Sequence, residues 1–284
     1  MTSGEIDVGN AAQALSKAEV NATKFDDPVN HQLQEISKDS PALMAAADSY
    51  AKRIAVKQEI LLKLFKPLAK ILGVAEFYFE NGFAADMATK TADIPDENLR
   101  TPPSNVALPA MQGLAFSLDK PDLKDMYLNL LAAATNDRRT DQAHPSFSEI
   151  IKQLSPPEAV LLQSCLKQPP TPIIRIKGVM TEPGTGYFVF ENHVLNWADS
   201  ETHEPGEVPL GAMYLDNWIR LGLVVVMYDE YLTAPDKYDW VEGRPEFIRL
   251  KTEHASNAQF NVSFDKGILK PTAFGKKFSA ATSV

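Results

Sequence analysis

The feature that most constrains this chain is a change of hydrophobic period at the stretch QPPTP, residues 168–172. Before it, apolar residues recur at the three-to-four spacing of helices; after it, they alternate. A single switch of period at a proline cluster predicts an α+β fold, with a mainly helical N-terminal region followed by a smaller winged-helix-like α/β domain. Three stretches follow: a loosely ordered polar arm over 1–39, a helical domain over 40–171, and the winged-helix-like domain over 172–284.

Within the helical part, Ser40 is the expected N-cap of a long helix with Pro41 at its first position, and Pro67 and Gly73 are expected to kink it. The segment DIPDENLRTPPSNVALP breaks the periodicity with four prolines. Helical runs resume at 106–118 and 122–138, then at 147–154 and 156–167, where Ser155 caps the last and Pro156 opens it. Beyond the switch, IIRIKGVM and GYFVFENHV read as strands joined by the turn residues of TEPGTG. A helix at 210–221, the strand LVVVMY, an excursion, the strand in GILKP and a short terminal helix complete the order expected of a winged helix.

The 284 residues carry a net charge of −9 with a pI near 5.1, which argues against a chain that coats nucleic acid through phosphate contacts. The single Cys165 allows no internal disulfide, and its surroundings LLQSCLKQ read as an amphipathic helix, so the thiol is expected to be structural. The opening residues lack the regions of a signal peptide, and no run of 18 apolar residues occurs. The expected location is cytoplasmic, with peripheral contact at the inner membrane face as an extension of it.

The stretch from IPDENLRTPPSNVALPAMQGLAF to HPSFSEIIKQLSPPEAVLL resembles the bacterial abortive-infection alpha family, a group associated with phage defence. Its elements are a proline-rich entry before a P-A-x-x-x-L helix at 109–114, an L-x-x-M-x-x-N-L-L-A-x-A helix at 123–134, and H-P-S-F-x-E-I-I-K-Q-L-S-P at 144–156. A weaker match follows in LDNWIRLGLV and ILKPTAFGKKFSAA, two elements separated by a long segment, and Pro271 and Ala273 in the second depart from the family form. The resemblance implies a phage-defence role and supplies no catalytic residue to carry over.

The sharpest local feature is a basic amphipathic helix in an acidic chain: Lys52, Arg53, Lys57, Lys63, Lys66 and Lys70 against Glu59. An apolar stripe of Ile60, Leu61, Leu64, Leu68, Ile71 and Leu72 runs beside the cations, the pattern of a helix that lies on an anionic membrane or docks on a protein. The run Phe77, Tyr78, Phe79 and Phe83 extends the apolar surface as core or as a homo-oligomer interface. In the winged-helix-like part, Asn217, Arg220, Lys270, Lys276 and Lys277 are the candidates for nucleic-acid contact, joined by Lys266. His144, Ser146 and Glu149 offer a base, a hydroxyl and a carboxylate, yet their spacing predicts a capping box at a helix start. His193 and His203 lie among Asp199, Glu201 and Glu204 without the paired spacing of a metal site, and no phosphate-binding glycine loop occurs. No metal, cofactor or catalytic residue is expected, and the residues favour a binding role over an enzyme. The expected partner is a protein or an anionic membrane surface, with a DNA-binding regulator and an enzyme of unrecognised site as the alternatives.

Overall fold

The computed structural model describes residues 41–72, 76–198 and 204–283. The polar arm, the Ser40 cap and Gly73 fall outside those residues, as do Asp199, Glu201 and His203. The described residues form ten α-helices and one four-stranded antiparallel sheet, helical first and mixed later. They divide into two compact units, one of 41–69 and 76–96, the other of 70–72 and the residues from 97 onward.

The first unit is built on α1 (Pro41–Leu72), which runs on through Pro67, with α2 (Glu76–Asn81) and α3 (Phe83–Lys90). Ile54, Leu61 and Phe65 of α1 are buried with Phe79, Phe83 and Met87. Edge-to-face contacts at 5.0 Å between Phe65 and Phe83, and a tilted one at 5.1 Å between Phe79 and Phe83, form the centre of this small core. Two members of the aromatic run are therefore core, while Phe77 stands 76% exposed.

In the second unit, α4 (Ser104–Ala115), α5 (Pro121–Thr135), α6 (Ser146–Ile151) and α7 (Pro156–Lys167) precede the sheet. The central helix is α5, buried from Met126 to Thr135 without interruption. Its Tyr127 passes so close to α4 that a Cβ on Gly113 would fall 2.3 Å from the ring, so the glycine permits the approach. Pro156 opens α7 as expected, and Glu158 reaches back to accept from the Ser155 N–H at 3.1 Å.

The strands are β1 (Thr171–Met180), β2 (Tyr187–Leu195), β3 (Val224–Met227) and β4 (Phe260–Pro271), in the order β2-β1-β4-β3. Ile174 and Ile176 of β1 face a core with Val194, Val241, Phe247 and Leu250. Between β2 and β3 lies α8 (Gly211–Arg220), and the excursion before β4 folds as a 3-10 turn and α9 (Pro245–Glu253), started by Pro245 at its first position. The last strand extends well upstream of GILKP because QFNVSFD alternates a polar outer face with Val262 and Phe264 packed on the core.

The terminal α10 (Ala273–Thr282) packs against α5 and α7. Thr272 Oγ1 caps it by accepting from Gly275 N–H at 2.9 Å, and a Cβ on Gly275 would meet Leu223 O at 2.0 Å. Asn129 of α5 donates to Thr282 O at 3.0 Å, fastening the far end.

Candidate functional site

Helix α1 faces two ways. Lys52, Arg53, Lys63 and Lys66 stand exposed on it, whereas Lys57 is 4% exposed and turned inward. The Lys57 ammonium donates to the carbonyls of Thr91 at 2.6 Å, Ala92 at 3.2 Å and Ile94 at 2.7 Å, with Asp96 at 3.7 Å. It thus satisfies the chain leaving α3, where helix geometry leaves carbonyls without partners. Burial lowers its pKa against the opposing pull of Asp96. Lys57 is therefore withdrawn from the exposed basic face on which its spacing alone placed it. Lys63 pairs with Glu59 at 2.8 Å in open water, and the side chain of Lys70 lies outside the described residues.

The polar side chains of α8 behave differently. Asn217 Nδ2 donates to Gln153 O at 3.0 Å and to Glu158 Oε1 at 2.7 Å, and Arg220 Nη2 donates to Gln153 Oε1 and Asn217 Oδ1 at 2.7 and 2.6 Å. Both are bound to the α6–α7 turn, as a wall of a shallow groove lined also by Leu210 and Met213. Lys270 pairs with Glu230, and Lys266 lies over the Tyr238 ring at 5.1 Å. Lys276 and Lys277 remain exposed on α10, so contact with a duplex would have to draw chiefly on those two.

The expected capping box at α6 is not made. His144 Nδ1 lies 2.7 Å from Ser146 Oγ and accepts from Ser146 N–H at 3.2 Å, so the imidazole serves as the cap, while Glu149 pairs with Lys152 at 2.7 Å. Histidine wins because its ring also packs on Phe147 at 5.7 Å and Phe274 at 6.0 Å. Phe147 meets Phe278 as well, so segments at 144–147 and 274–278 share one aromatic corner. Cys165 is buried, and burial pushes its thiol up to about 11, a structural cysteine.

One cluster has no warning in the sequence pattern. His193 adopts a left-handed φ of +61°, at a bulge where Asn192 and His193 together face Arg175. Its Nε2 lies 3.3 Å from Asp216 of α8 and its Nδ1 3.1 Å from Tyr228 Oη. Burial lowers the His193 pKa against the pull of Asp216, and pushes the Tyr228 hydroxyl up to about 12. Nearby, Arg175 donates to Asp265 at 2.9 Å and lies over the Tyr228 ring at 4.7 Å, with Lys177 also on Asp265. Burial alone would raise the Asp265 carboxyl, but these two cations leave it below its ordinary value. Bulges cannot be read from alternation, because they interrupt it. Among the described residues, no three side chains of metal-ligating type converge.

The family described as abortive infection alpha matches residues 77–282. No curated protein matches the chain. An uncharacterised protein from the hydrocarbon-degrading marine bacterium Alcanivorax borkumensis SK2 is similar at 16% identity, over 52% of this chain and 96% of that one, with a TM-score of 0.33.

Proposed function

The chain belongs to the abortive infection alpha family, and from that membership we propose that it acts in bacterial phage defence, by associating with a cellular surface or a protein rather than by catalysis. The family match carries the defence reading. The mode of action draws support from where the family-like residues lie. Leu123, Met126, Asn129, Leu130 and Leu131 are all buried in α5, Phe147 and Phe278 meet in the aromatic corner, and Gly275 gives α10 its close seat. Residues of that kind build a scaffold, and chemistry would need polar groups converging on an accessible point.

The matched span begins after α1, whose exposed cations are therefore a feature of this chain beyond the matched part. No helix among the described residues is long and apolar enough to cross a membrane. The test is infection of bacteria expressing the chain. Protection at low phage dose with collapse of the culture at high dose is the expected outcome; undiminished plaque numbers across a broad phage panel would contradict the defence role.

A further inference from the structure

We propose that the outer face of α1 adsorbs to an anionic lipid bilayer through its cations, without inserting. The inference rests on the association reading above and names its partner. The exposed stripe runs Lys52, Arg53, Val56, Glu59, Lys63 and Lys66, a rise of about 21 Å along a helix. Its one carboxylate, Glu59, is bound to Lys63. Among the residues whose side chains are described, no carboxylate pairs with Lys52, Arg53 or Lys66.

The mode follows from the other side of the helix. An inserting amphipathic helix needs its apolar face free, and here Ile54, Leu61 and Phe65 are closed into the unit's own core. On the stripe itself the large apolar side chain is Val56, 51% exposed. Phe77, the most exposed aromatic among the described residues, lies about 200° around α2 from the buried Phe79, so it points away from the core that α1 covers. Lys52, Lys63 and Lys66 fall within about 60° of one another on the outer face with Arg53 on its flank, and such a spread of cations with no aromatic anchor suits a plane of phosphate headgroups better than a protein pocket, whose affinity concentrates in buried aromatic and arginine contacts.

Each cation near such a surface raises partitioning about five-fold. The full chain should co-sediment with phosphatidylcholine vesicles that contain phosphatidylglycerol, not with phosphatidylcholine alone, and high salt should release it. Changing Lys52, Arg53, Lys63 and Lys66 together to Gln should weaken binding by roughly two orders of magnitude or more, without changing the thermal transition. Phe77→Ser should leave binding unchanged, and Val56→Asp should weaken it by about five-fold at most. The lipid proposal is overturned by no binding to the anionic vesicles at low salt, by equal binding of the four-fold variant, or by loss of binding on Phe77→Ser. If vesicles fail while the same four changes abolish phage protection, the partner is a protein and the association reading stands. If the variant protects as the parent does, the outer face of α1 is not the effector surface and the lipid proposal falls.

Discussion

Helices α1 and α8 both present polar side chains at helical spacing beside an apolar stripe, yet they use them in opposite ways. Four cations of α1 remain in water, while Asn217 and Arg220 of α8 are tied to Gln153 and Glu158. The difference lies in the neighbours. The α6–α7 turn offers α8 a backbone carbonyl, an amide and a carboxylate, whereas among the described side chains the one bond made by the outer cations of α1 goes to its own Glu59. Periodicity identifies a face, and only the tertiary partner decides whether that face is surface or joint.

The contrast breaks hardest at Lys57, the one described α1 lysine that behaves like a residue of α8. Lys57→Ala removes the ammonium from three carbonyls, of which Thr91 O keeps the Ile94 N–H, and should destabilise the first unit by about 2–3 kcal/mol. Lys63→Ala, about 1.7 turns on, should leave thermal unfolding unchanged. Equal melting curves for the two variants would erase the distinction between inward and outward lysines.

Next in size is Asn217→Ala, which removes two donors and the acceptor for Arg220 and should cost about 1–2 kcal/mol by denaturant unfolding. Arg220→Ala should cost less, under about 1 kcal/mol, since its partners are neutral and exposed. If either substitution leaves stability untouched but abolishes binding to duplex DNA, α8 is a recognition surface rather than a joint.

The smallest effect is on pH. His193 links α8 to β2 and is held below its ordinary pKa, so the folded state favours the neutral ring. Its contribution is complete above about pH 6.5 and is lost as pH falls through the lower, folded value. Thermal stability should therefore decline on mild acidification. His193→Gln should flatten that decline, and Asp216→Asn, which removes the charge favouring protonation, should deepen it and extend it to lower pH.

Much of this was legible in the residues. The period switch at 168–172 locates the change from helices to sheet, and Pro156 stands where a helix begins. The family-like stretches at 123–134 and 144–156 were legible as motifs, and in the structure they are packing elements. What escaped depends on contacts distant in sequence. The inward turn of Lys57 needs carbonyls 34 to 37 residues away, and the His144 cap gains from Phe274 on the terminal helix. His193 could not be found by alternation, because a bulge is a break in it. The excursion before β4 folds back as α9, which a short apolar run such as PEFIRLKT does not distinguish from a strand.

The most direct test of the central claim is phage infection of bacteria expressing either the parent chain or the variant with Lys52, Arg53, Lys63 and Lys66 changed to Gln, at matched protein levels. The account predicts that the parent protects at low phage dose and that the variant, equally folded, does not. Full protection by the variant would contradict it and place the effector surface elsewhere in the molecule.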